Sequence, residues 1–163
     1  MKRILTALLI GALAGVAGGF ALGIFAFPYL FPPPEVNEVV ADKNSRAVLA
    51  KGNFIHADPN DPVHYGSGSV TIYEGLLHLE RDFNVGPGPK YHVYLVPEKT
   101  VTPDTAVDKT MYVDLGRLKS FSGSQNYAIP DGVDIKQYPH AVIWCEQFDV
   151  LISPAALNPA ASL

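Results

Sequence analysis

Between Ile4 and Phe27 the chain carries no charged residue at all. Coiled as a helix, a run of about 24 residues would be ~36 Å long, and a bilayer core needs about 20. Lys2 and Arg3 stand immediately before it, and positive residues stay on the cytoplasmic side. A cleaved signal has a shorter apolar region that ends in a small-x-small site. Ala21-Leu22-Gly23 offers a loose version of that site, but Ile24, Phe25, Phe27, Tyr29 and Leu30 continue the apolar run past it. The pattern predicts an uncleaved single-pass anchor over residues 1–30 in the cell membrane. Its N-terminus is inside, and everything after it faces the periplasm or the cell exterior. The anchor contains no cysteine, which excludes attachment through a thioether-linked lipid.

Gly11, Gly15, Gly19 and Gly23 recur at every fourth position. On a membrane helix this spacing lines them up on one face, where bare backbone lets a second helix approach closely. A helix–helix dimer through this face is one expectation; the other is that small residues are simply frequent in membrane helices. Pro28 and then Pro32-Pro33-Pro34 predict the end of the helix and a stiff linker over residues 31–46. The folded domain is expected over 47–157, with a frayed tail at 158–163.

Inside the domain the apolar residues alternate with a period of two, and Gly and Pro punctuate them. SVTIYEGLLHLERDF reads as a hairpin turning at Glu74-Gly75, and YHVYLVP, MYVDLGRL, NYAIP and HAVIWCEQFDVLI read as further strands. No sustained helical period follows the anchor. Short strands with regular turn signals predict an all-β fold, an antiparallel β-sandwich or barrel. Without Lys2 and Arg3 the exported part keeps ten basic against sixteen acidic residues. With no basic block interleaved with aromatics, nucleic acid is not expected as a partner.

Cys145 is the only cysteine, and it follows the only tryptophan, Trp144. Exported proteins tend to carry cysteines in pairs, as disulfides. A single one is either an inert buried hydrophobe or a group kept for its reactivity. If HAVIWCEQFDVLI were one unbroken strand, Trp144, Phe148 and Val150 would face the core and Cys145 would face away. That register also places Glu146 in the apolar row. A bulge near 145–147 removes the conflict and turns Ile143 and Cys145 inward.

Several ordered signatures then converge: Gly52-Asn53-Phe54; His64 before Ser67-Gly68; the Gly-Pro before HVYL; Leu115-Gly116-x-Leu118; Tyr127-x-x-Pro130; and the Trp144-Cys145 pair. Over roughly 47–157 this order resembles the DM-thirteen domain, an electron-transfer family. The resemblance implies an extracytoplasmic β-domain whose hallmark cysteine is matched by Cys145. It also implies a redox role for that cysteine, as a free thiol or as a thiolate ligand to a group such as haem. Any redox partner would be a separate protein.

His64 or His92 would be the natural neighbour to activate the thiol or to serve as a second axial haem ligand. No CxxCH is present, so covalently attached c-type haem is excluded. His56, Asp58, Asp61 and His64 crowd the loop HADPNDPVH, but no recognised metal-ligand spacing occurs and no metal is assigned. Asp82, Asp114 and Asp131 adjoin turns and read as structural. Two functions stand beside each other. One is a membrane-anchored extracytoplasmic electron-transfer domain centred on Cys145. The other is a non-catalytic extracytoplasmic binding module with a structural buried cysteine. Enzyme activity is left open, and solvent access to Cys145 separates the two.

Overall fold

The computed structural model describes residues 1–160; residues 161–163 of the expected tail lie outside the described residues. Helix α1 (Lys2–Leu30) is long and apolar enough to cross a membrane, and nearly all of its side chains are exposed. It runs past Pro28 to Leu30, closing with a bond from the Phe31 N–H to the Phe27 carbonyl (2.9 Å). The missing proline N–H is tolerated there because less than one turn of helix follows it. Phe25 stacks on Phe148 of the domain, with ring centroids 5.2 Å apart.

Ten strands follow: β1 (Val48–Phe54), β2 (Gly66–Tyr73), β3 (Leu76–Leu79), β4 (Asn84–Val85), β5 (Tyr91–Val96), β6 (Val113–Arg117), β7 (Gln125–Ala128), β8 (His140–Cys145), β9 (Val150–Ala156) and β10 (Asn158–Pro159). They form one antiparallel sheet in the order β6-β5-β8-β9-β1-β2-β3-β7, with β4 on β2 and β10 on β1. The two ends of this order, β6 and β7, approach each other, so the sheet curls into a nearly closed barrel. The hairpin at Glu74-Gly75 is present, with Tyr73 opposite Leu76 and Gly75 at φ +69°. The tail begins in order rather than frayed: Asn158 and Pro159 pair with Lys51 and Ala50.

Alternation on β5 and β8 explains the core. Tyr91, Val93, Leu95, Ala141, Ile143 and Cys145 face the barrel interior, where they join Val70, Ile72, Leu77, Leu79, Phe83 and Ile152. Tyr94, Val96, Val142 and Trp144 face the opposite side, because successive strand residues point to opposite faces. There Val101 and Val107, from the segment between β5 and β6, close over them in a second, smaller core. Every residue of β8 is therefore buried.

The segment expected to be one strand is a hairpin. Residues 146–149 form a tight turn between β8 and β9, with Asp149 at φ +51°, a conformation aspartate tolerates. Phe148, expected in the core, sits in this turn and is 42% exposed. A register irregularity exists, but on the partner strand. Ile143 pairs with Ser153 and the next residue, Trp144, with Leu151, so Ile152 is the extra residue of a bulge.

The linker contributes more than a spacer. Glu38 lies against β7: its N–H donates to the Ser124 carbonyl (2.9 Å), and its carboxylate accepts from the Asn126 N–H (2.6 Å). The Lys119 ammonium bonds both Glu38 carboxylate oxygens at 2.8 Å and the Asn126 carbonyl at 2.9 Å. The strap 35–40 and the loop 118–124 thus fill the seam beside β7.

Candidate functional site

Cys145 closes β8 directly before the tight turn. Its side chain points into the barrel because Tyr91, its partner across the sheet, does so too. The sulfur is buried, with the residue 1% exposed, and its thiol donates to the Pro89 carbonyl at 3.2 Å. Pro89 belongs to GPGPK (86–90), the loop that leads into β5. Gly88, Pro89 and Lys90 of that loop line an open groove of about 1200 Å³ between α1 and the domain, together with Phe20, Ile24, Phe27 and Gln147.

Burial is the largest influence on this thiol and raises its pKa above the ordinary value. The backbone N–H groups of Phe148 and Gln147 in the turn oppose that rise, while the carboxylates of Asp149 and Glu146 add to it; the Phe148 N–H itself bonds the Cys145 carbonyl (3.4 Å). Among the described residues, the charged groups acting on the thiol are carboxylates. At rest Cys145 is a neutral thiol. Its S–H has an acceptor in the Pro89 carbonyl.

The two histidines expected beside the thiol lie elsewhere. His92 pairs across the sheet with Trp144, so it faces away from Cys145. Its Nδ1 lies 3.1 Å from both carboxylate oxygens of Asp114 and 3.5 Å from Glu146 Oε1. His64 sits in the loop before β2, its Nδ1 bonded to Asp61 Oδ2. The His64 ring, followed by the Val63 N–H, holds the Asp61 carboxyl down at about 2. That loop is bonded to itself throughout: Asp61 Oδ1 accepts from the Val63 and His64 N–H groups, Asp58 Oδ1 from the Asn60 N–H, and the His56 ring bonds the Asp61 carbonyl. These are turn functions, as the proline-rich sequence indicated.

This geometry does not fit a haem thiolate. The sulfur faces a packed interior, Cys145 lines neither the groove beside α1 nor the smaller pocket around Tyr73 and Tyr138, and His92 is on the wrong face to share an iron with it.

The remaining buried polar side chains are accounted for by local bonds. The His78 ring bonds Asn126 Oδ1 (2.6 Å), that of His140 bonds the Glu98 carbonyl (2.9 Å), and Gln125 ties Lys119, Ser120 and Tyr127 together. The sequence did not mark the thiol's hydrogen-bond partner, the Pro89 carbonyl. GPGP reads only as a loop, and a backbone acceptor leaves no trace in residue type.

A protein-family model described as electron transfer DM13 matches residues 60–157. No curated protein and no solved structure matches the chain.

Proposed function

The chain belongs to the electron-transfer DM13 family, and from that premise we propose that it is a membrane-tethered redox domain whose working group is the thiol of Cys145. The observation that carries this reading is the sulfur's setting. It is buried, its S–H is held by the Pro89 carbonyl of a proline-rich loop, and the backbone N–H groups of the adjoining turn act against the rise in pKa that burial causes.

In this reading the loop 86–90 is a cover. While it is closed, the raised pKa keeps the thiol protonated and inert. When it lifts, water and a partner reach the sulfur and the proton leaves to solvent. As the only cysteine of the chain, Cys145 exchanges electrons with a second molecule. Its thiolate attacks a disulfide of a separate redox partner, one partner sulfur leaves as thiolate, and a mixed disulfide holds the two proteins until a second thiol resolves it. Lys2 and Arg3 before the apolar helix support an inside N-terminus, with the domain, and so this exchange, on the periplasmic or outer side.

A second reading rests on one specific observation, the 1% exposure of Cys145. It makes the chain a non-catalytic binding module with a structural cysteine. Thiol labelling of the full chain in detergent, followed against urea concentration, separates the two. A gated thiol labels through a local opening, with a rate nearly independent of urea well below the unfolding transition. If labelling follows global unfolding alone, the redox reading fails and the binding module stands. The visible absorption spectrum, recorded beside it, is expected to show no haem band.

A further inference from the structure

The side of β5 and β8 that faces away from Cys145 carries a second constellation, independent of the thiol. His92 on β5, Asp114 on β6 and Glu146 in the turn after β8 come from three neighbouring elements of the sheet. Their ligand atoms all lie within 4.8 Å of one another. We propose that His92 Nδ1, an Asp114 carboxylate oxygen and Glu146 Oε1 form a binding site for a divalent first-row transition-metal ion.

The distances carry the argument. Around an ion bound at about 2.1 Å, neighbouring ligand atoms stand about 3.0 Å apart in an octahedral shell and about 3.4 Å apart in a tetrahedral one. His92 Nδ1 stands 3.1 Å from the Asp114 oxygens and 3.5 Å from Glu146 Oε1. The ion takes the place of the Nδ1 proton, and its two charges are balanced by the two carboxylates. One imidazole nitrogen with two carboxylate oxygens selects zinc or copper over calcium or magnesium, which prefer oxygen alone. Three protein ligands leave at least one coordination position to water. The side chains grade from 15% exposed at His92 through 25% at Glu146 to 39% at Asp114, so the ion enters from the Asp114 side.

The backbone around the site is shaped to aim these groups. Between β5 and β6 the register slips: His92 pairs with Arg117 but Tyr94 with Asp114, leaving Leu115 and Gly116 opposite Val93 alone. Gly116 takes φ +116°, a conformation most other residues resist. Its N–H donates to Asp114 Oδ1 (2.8 Å), orienting that carboxylate. Bulges of this kind re-aim side chains beside functional sites. On the other flank the Tyr94 hydroxyl donates to Glu146 Oε1 (2.7 Å), and the half-exposed Lys90 ammonium lies 3.0 Å from Glu146 Oε2. The Tyr94 ring is fixed by stacking on Tyr112 at 4.2 Å. Outer partners of this sort hold ligands in place.

The test is a titration of the full chain in detergent with zinc chloride and, separately, copper(II) chloride against a chromophoric chelator. It is run for wild type, Asp114→Asn, His92→Gln and the control His64→Gln. One equivalent is expected to bind wild type and His64→Gln alike, with at least about tenfold weaker binding in Asp114→Asn and His92→Gln. Zinc should also raise the thermal midpoint of wild type and leave that of Asp114→Asn in place. Far-ultraviolet circular dichroism checks that the variants are folded. Absence of binding to wild type, or one equivalent retained in both Asp114→Asn and His92→Gln, overturns the proposal. The thiol-labelling result does not bear on it.

Discussion

Replacing Trp144 by alanine tests the two-sided core most directly. The indole is 3% exposed and packs with Tyr94, Val96, Val101, Val107, Val142 and Leu151 on the side of β8 away from Cys145. An aromatic of this size removes at most about 250 Å² from water, worth up to ~6 kcal/mol at about 25 cal/mol per Å². The alanine methyl retains part of that area, and a compact unfolded chain already hides some of it. The remaining loss is about 3–5 kcal/mol, in the range found for emptied aromatic sites. A domain of this size has only about 5–15 kcal/mol in hand, so the variant should be folded but fragile. With a urea dependence of about 2 kcal/mol/M, the midpoint should fall by about 2 M. Far-ultraviolet circular dichroism of the full chain in detergent follows the transition without relying on the lost fluorophore. A loss below about 1 kcal/mol would refute the reasoning, since it would mean that residues 97–112 do not hold a dry second core over Trp144.

Gly68 sits at φ +105°, where an added Cβ would collide with Phe83 Cα and the Asp82 carbonyl; Gly68→Ala should lower stability by more than about 1 kcal/mol, checked by the same urea titration. Burial pushes the Glu38 carboxyl up, but the Lys119 ammonium and the Asn126 N–H outweigh it, so the folded-state pKa lies below 4.5. Its contribution is therefore present above that value and lost as pH falls through the depressed one, and Glu38→Gln should flatten the decline of the urea midpoint below about pH 4.5. In α1 an added Cβ on these glycines would meet nothing within 4 Å, although Gly19 and Gly23 also line the groove toward the domain; if the ladder is a dimer face, Gly15→Ile and Gly19→Ile should weaken self-association in a membrane-helix assay, and equal signals from wild type and variants would reduce the ladder to composition.

The anchor, the all-β class and the hairpin at Gly75 were legible because each rests on local pattern: an uncharged run, a period of two, a glycine at a turn. The turn at 146–149 was not. Phe148 continues the apolar rhythm across it, and the glycine or proline that usually marks a tight turn is missing. Its phenyl ring is instead placed against Phe25 of α1, a contact that local pattern does not encode. Cys145 was legible as a candidate, but its direction was left between two registers; the inward one was drawn from a bulge near 145–147, whereas the irregularity lies at Ile152 on β9. The separation of His92 from Cys145 depends on sheet register, which alternation along one strand leaves open. Asp114, read as a turn residue, is one, since its Oδ1 accepts from the Gly116 N–H. Its approach to Glu146, on the far side of β5, needs the whole strand order.

The strap at Glu38 has a consequence for handling the domain. A strand with unpaired outward N–H and C=O groups is a template for another chain, and β7 ends the sheet order. The Asn126 N–H and carbonyl on that edge are occupied by Glu38 and Lys119, and the Asn126 side-chain amide by the Val39 carbonyl. A chain shortened to begin at Ala47 keeps every strand but bares this edge, and it should scatter light and sediment as oligomers at concentrations where one beginning at Glu35 stays monomeric. On this reasoning the shortest unit that keeps its edge covered begins about a dozen residues before its first strand.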